Sequence, residues 1–244
     1  MELRLFVFHH AGGSHATYRD WPNRFPAHWQ VRLLDAPGRG MLADLPAIGD
    51  ARDLVTWFHT ELQGELDAPF ALFGHSMGAL IAYELTRLLH AQGRPPRWLG
   101  LSARSAPHAD PLRSGTDRHL LSDKALRDEL AAMGGTPADV LDDPELWELF
   151  SPVIRGDLRL VDTWRPRPQP VPLPVPLSVY GGTHDAFAPP RRLRGWAPYS
   201  TRHLGLRVFH GGHFYFRPDP TELITHITTD IRTALTLPTP APRS

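Results

Sequence analysis

Apolar residues fall along this chain in two alternating rhythms. Short runs at 3–8, 30–34, 69–73, 98–103, 177–182 and 206–209 are rich in Leu, Val and Phe, and predict strands, most of them buried on both faces. Between them, Leu54, Trp57, Phe58 and Leu62 recur at helical spacing within 50–65. The run at 69–73 passes through a tight turn into a second helical pattern at 80–85, which ends near Gly93 before Pro95-Pro96. A last helix carries Leu223, Ile224, Ile227, Ile231 and Leu235 on one face. It is expected to open on Asp219-Pro220-Thr221-Glu222 as a capping box with Pro in the first helical position. Strands that alternate with helices imply an α/β fold with a mostly parallel, doubly wound sheet. Ligands of such sheets sit outside the carboxyl ends of the strands.

The rhythm breaks between about 115 and 164. Three short helical segments are expected there with no strand between them, capped by Ser122-Asp123, Thr136-Pro137 and Asp143-Pro144. Their apolar residues include Leu126, Leu130, Met133, Leu141, Leu149, Phe150 and Ile154. A helical insertion above the strand ends acts as a lid; the plainer alternative is a set of helices that only cover the core. The expected layout is one domain over 1–235 with this insertion, then a flexible proline-rich tail at 236–244.

Composition narrows the classes. At 244 residues the chain can bury a full core as one domain. Lys plus Arg number 26 and so do Asp plus Glu, and the arginines are scattered, so neither nucleic acid nor an anionic membrane surface is indicated. The absence of cysteine removes disulfides, thiolate metal sites and a cysteine nucleophile, and suits a reducing, cytoplasmic setting. No apolar run approaches the ~18 residues of a bilayer span.

The turn after 69–73 reads Gly74-His75-Ser76-Met77-Gly78. A serine between two glycines, after a buried strand and before a helix, is lifted clear of the sheet with a helix N-terminus aimed at whatever its oxygen attacks. Ser76 is therefore the candidate nucleophile, against the alternative of a turn whose serine only caps the helix. A serine hydroxyl needs a base, and the base needs an orienting acid, in the order Ser, acid, His on loops that follow strands. Asp185, after the strand at 177–182, is the expected acid, ahead of Asp157 and Asp162 in the insertion. Among 14 histidines the expected base is His213, because Gly211-Gly212 lets its loop point back across the sheet. His210, His184 and His203 fit less well. Backbone N–H groups of Met77 and Ala11 are the expected oxyanion donors. No H-E-x-x-H or similar ligand spacing is present, so neither metal nor cofactor is expected.

Taken together, His10-Ala11-Gly12-Gly13-Ser14, Pro37-Gly38-Arg39, Phe73 through Ala79, Ala106-Pro107-His108, Leu130 through Pro137 and Gly211-Gly212-His213-Phe214 resemble the discrete type II thioesterases of nonribosomal peptide and polyketide synthases. The resemblance covers about residues 5–230. It implies an α/β-hydrolase that removes acyl groups from the phosphopantetheine arm of carrier proteins, with an acylated carrier protein as partner; separately, a monomer is expected. Motif by motif it carries nucleophile, acid and base onto Ser76, Asp185 and His213. The sequence departs from the family at His9, where proline is common. It departs again at His184, at Ala186-Phe187 in place of an Asp-Pro continuation, and at Ser102-Ala103-Arg104 in place of Ser-Gly-Arg. The rival readings are an esterase or lipase on free small molecules, a chain-terminating or cyclising thioesterase, and a non-catalytic hydrolase-like binding protein.

Overall fold

The computed structural model describes residues 2–109, 117–166, 169, 171–217 and 219–238. In chain order the principal elements are β1 (Leu3–Phe8), β2 (Trp29–Leu34), α1 (Ala51–Leu62), β3 (Phe70–His75), α2 (Met77–Ala91) and β4 (Trp98–Ser102). They continue with α3 (Asp123–Met133), α4 (Ala138–Asp142), α5 (Pro144–Thr163), β5 (Leu177–Gly182), α6 (Pro190–Leu193), β6 (His203–Phe209) and α7 (Thr221–Thr236). The six strands form one sheet in the order β2-β1-β3-β4-β5-β6, and every pairing is parallel.

Strand periodicity divides the apolar residues between two cores. In β1, Phe6 and Phe8 face the layer of α1 and α2, while Leu3, Leu5 and Val7 face the layer of α7. β3 divides in the same way, with Phe70 and Leu72 on one face and Ala71 and Phe73 on the other. Both faces are covered, so these central strands read as continuous apolar runs. Each large side chain buried this way contributes roughly 1.5–3 kcal/mol.

α1 begins where Asp50 Oδ1 accepts the N–H groups of Arg52 and Asp53 at 2.8 and 3.1 Å. α2 stops as its sequence suggests, with Gly93 left-handed just past its end (φ 74°). Ser122 caps α3 and Asp143 caps α5. Thr136 caps nothing; α4 starts after Pro137 without a side-chain cap. The third helical segment is not short. α5 runs 20 residues through Pro152, because its buried side continues through Trp147, Ile154, Leu158, Leu160 and Val161. Of the apolar residues expected to pack there, Leu149 and Phe150 stay exposed, at 67% and 43%.

α5 joins two environments. Leu160 and Val161 belong to the core beside α2, whereas Trp147, Ile154 and Leu158 form a separate apolar cluster with Leu126, Leu130 and Leu141 of α3 and α4. The helix is thus core-covering at its C-terminal end and part of the cap at its N-terminal end. β6 starts three residues before the expected 206, with an irregularity at Leu204 where Leu177 pairs His203 and Ser178 pairs Gly205. Its half-buried edge position hides the alternation that marks the other strands. α7 begins at Thr221, so Pro220 precedes the helix, and Asp219 Oδ1 accepts Thr221 N–H at 3.1 Å and its hydroxyl at 2.6 Å. Residues 115–116 of the expected insertion and 239–244 of the expected tail lie outside the described residues.

Candidate active site

The site lies at the carboxyl ends of β1, β3 and β5 and in the loop after β6. Ser76 sits between β3 and α2 at φ 56°, ψ −111°, a conformation costly for a non-glycine residue. Its N–H donates to the Ser102 carbonyl at 2.8 Å. The turn is closed by two backbone approaches. A methyl on Gly74 would overlap the Gly78 carbonyl, and one on Gly78 would overlap the Phe8 carbonyl of β1. Met77 opens α2, so its N–H has no intrahelical acceptor.

Asp185 and His213 meet. His213 Nδ1–H donates to Asp185 Oδ2 at 2.8 Å, and both side chains are buried. Oδ1 of the same carboxylate accepts the N–H groups of Phe187 and Ala188, each at 2.9 Å. The departure from an Asp-Pro continuation therefore supplies an amide that proline would lack. Burial pushes the Asp185 carboxyl up, but its bond with His213 and the two amides outweigh burial and hold it below the usual carboxylate range. The other departure on this loop, His184, donates its backbone N–H to the Gly211 carbonyl at 2.8 Å, tying the two loops together. Gly211 itself adopts φ 134°. His213 Nε2 is buried and has no hydrogen-bond partner among the described residues.

A cavity of about 550 Å³ opens onto Ser76 and His213. His10, Ala11 and Ala103 line it beside them, and Leu130, Met133, Leu158 and Val161 of the insertion form an apolar wall. Charged residues, including Arg104, Arg118, Glu129 and Asp162, complete the rim. Arg118 pairs with Asp162 at 2.7 Å. Among the described residues no group of three or more His, Cys, Asp or Glu side chains could hold a metal ion.

Of the alternatives, Asp162 lines the cavity but is paired with Arg118, and the others lie elsewhere. His210 packs its ring on His184 at 5.3 Å, His203 lies in β6, and Asp157 is buried in an ion pair with Arg39. Of the predicted residues, Ser76, Ala11 and His213 share the cavity wall, Asp185 stands behind His213, and Met77 follows Ser76 beneath it.

His9 takes the place of the family's proline by bonding on both nitrogens. Its Nδ1–H donates to the His10 carbonyl at 2.7 Å, and its Nε2 accepts Ala36 N–H at 3.1 Å. Burial, reinforced by the Arg39 charge, lowers its pKa to about 4 and keeps the ring neutral. His75 packs its ring 5.1 Å from that of His213 and links through Ser102 Oγ to the Tyr215 hydroxyl, each bond 2.8 Å. Sequence reasoning marked His9 and the Ser102 stretch only as departures, carried His75 inside the Gly74–Gly78 motif without a role, and gave Tyr215 none.

Ala103, where the family usually has glycine, adopts φ 50°. Ala103→Gly is expected to leave Tm within about 2 °C, because relief of the left-handed strain is offset by the lost burial of its methyl and the added freedom of the unfolded chain. Thermal unfolding checks this, and a larger shift in either direction would contradict it.

A family model described as Thioesterase domain matches residues 3–231. The chain is 29% identical over 235 residues to the Gramicidin S biosynthesis protein GrsT of Aneurinibacillus migulanus, covering 96% of this chain and 91% of that protein. Among solved structures, RedJ, a thioesterase from the prodiginine biosynthetic pathway in Streptomyces coelicolor, matches with a TM-score of 0.84 at 33% identity, over 93% of this chain and 85% of that one. The type II thioesterase BorB from the borrelidin biosynthetic cluster matches with a TM-score of 0.84 at 33% identity, over 95% and 94% of the two chains. A family match that runs from β1 into α7 makes this chain a member of the thioesterase family, built on the α/β-hydrolase fold.

Proposed function

We propose that this thioesterase hydrolyses acyl thioesters on the phosphopantetheine arm of carrier proteins, clearing stalled or misprimed chains from a nonribosomal peptide or polyketide synthase. It acts as a cytoplasmic monomer whose partner is an acylated carrier protein. The observation that carries the reading is the buried His213–Asp185 pair, whose outer imidazole nitrogen is unpartnered beside the Ser76 elbow on one cavity wall.

Ser76 Oγ attacks the thioester carbonyl carbon while His213 Nε2 takes its proton, and Asp185 holds the other nitrogen and stabilises the imidazolium. The N–H groups of Ala11 and Met77 receive the oxyanion. The C–S bond then breaks, and His213 returns the proton to the leaving thiolate. Water adds to the acyl-serine, giving its proton to His213, and the acid leaves as Ser76 is reprotonated. The apolar wall from Leu130, Met133, Leu158 and Val161 holds the acyl group.

An ester passes through the same oxyanion, so the substrate comparison decides between the thioesterase reading and its esterase rival. Acyl groups of varied length on carrier proteins should be released with kcat/KM at least tenfold above that for aryl esters of the same acids. Equal or lower values on the carriers would overturn the assignment.

A further inference from the structure

We infer that Asp157, on the helical insertion, is a positioning residue for the oxyanion loop. This rests on the assignment of Ala11 N–H as an oxyanion donor. Asp157 is 1% exposed, and its Oδ2 accepts Gly12 N–H at 2.7 Å. The same carboxylate takes both terminal nitrogens of the buried Arg39, Nη2 reaching Oδ1 at 2.8 Å and Nη1 reaching Oδ2. Arg39 thereby aims the carboxylate, and the carboxylate aims the loop.

The grip comes from one face of α5. Ile154 lies one turn before Asp157, and its Cγ1 comes 2.9 Å from the point a Gly12 Cβ would occupy. Ala11 packs against the apolar cluster that contains Ile154 and Leu158. Gly12 sits at φ 73°, where a glycine has little intrinsic preference for one peptide orientation. Holding its N–H on Asp157 fixes the peptide plane that follows Ala11, and so restrains the φ and ψ of Ala11 that relate this plane to the one carrying Ala11 N–H. His9 holds the preceding peptide through the His10 carbonyl. A donor misplaced by about 1 Å can cost 10²-fold in rate, so a buried carboxylate with no proton to transfer still sets kcat.

Removing Asp157 alone would strand the Arg39 charge in the interior, so the test uses two double variants that both lack the ion pair. Arg39→Met with Asp157→Asn keeps an acceptor for Gly12 N–H. Arg39→Met with Asp157→Leu does not. On an acyl carrier protein the first should stay within fivefold of wild-type kcat, and the second should lose 10- to 100-fold in kcat with KM within threefold. Equal kcat in the two folded variants, with wild type active, overturns the positioning role and leaves the thioesterase reading intact. A wild type inactive on carrier thioesters sinks that reading instead. Amide exchange in the wild-type protein tests the bond itself. Gly12 N–H should exchange at least 100-fold more slowly than in a free peptide, and free-peptide exchange overturns the proposal even where a variant fails to fold.

Discussion

Ser76→Ala should lower kcat for thioester hydrolysis by roughly four to six orders of magnitude, the scale seen when a triad nucleophile is removed from other serine hydrolases. What the substitution deletes is one oxygen on a cavity wall. What it keeps is the backbone of the elbow, including the Ser76 N–H bond to the Ser102 carbonyl at 2.8 Å and the close packing of Gly74 on Gly78. The melting temperature should therefore stay within about 2 °C, well inside the shift that 1 kcal/mol produces in a chain of this size. Loss of turnover with retained melting also separates an enzyme from a binding protein of the same fold. Turnover within tenfold of wild type would remove Ser76 from the mechanism.

Acid should unfold this protein earlier than its balanced charge suggests. Three buried histidines, His9, His10 and His75, stand at the ends of β1 and β3, and all are held neutral. Burial lowers His9 to about 4, with the Arg39 charge adding to it. Burial also pulls His10 well below its usual range, assisted by His9, and pulls His75 down, assisted by His213. In the unfolded chain each takes a proton near pH 6.5. The unfolded state thus binds more protons throughout the window below 6.5, and stability falls as pH falls. His9 alone forfeits about 3 kcal/mol by the time pH reaches about 4. With all three the slope reaches up to about 4 kcal/mol per pH unit, against a total stability on the order of 5–15 kcal/mol. At lower pH, protonation of the depressed Asp35 and Asp185 carboxyls adds to the loss. Urea unfolding at pH 7.5, 6.5, 5.5 and 4.5 measures this. A free energy of unfolding that stays level down to pH 5 would refute it.

Much of this molecule was legible in the chain because its signals are local. Phe6 and Phe8 against Leu5 and Val7, or Leu54 and Phe58 on one helix face, declare their elements without help from distant residues. Ser76, Asp185 and His213 were singled out by the order of chemistry along strand ends, and the parallel sheet brings Ser76 and His213 to one cavity with Asp185 bonded to His213. The illegible part is where a partner is remote. Asp157 stands in the sequence only as an acid ranked behind Asp185 on the insertion; its weight comes from Arg39 and Gly12, both far away in sequence. α5 read as short because Leu149 and Phe150 obscure the period of its buried side. β6 read as starting late because an edge strand with an irregularity at Leu204 buries too little to show alternation. Ala103 showed in sequence only as a departure from Ser-Gly-Arg; its left-handed backbone angle came with the structure.

The strand order has one more consequence, for a chain emerging from the ribosome. Domains form as synthesis proceeds, and the serine elbow belongs to β3, which pairs with β1 and β4 from the first half of the sequence. Asp185 arrives with β5, and His213 only after β6 has laid down beside it. On the proposed mechanism a nascent chain holds its nucleophile without a base until then, so the onset of thioester cleavage would report that the whole sheet has been assembled.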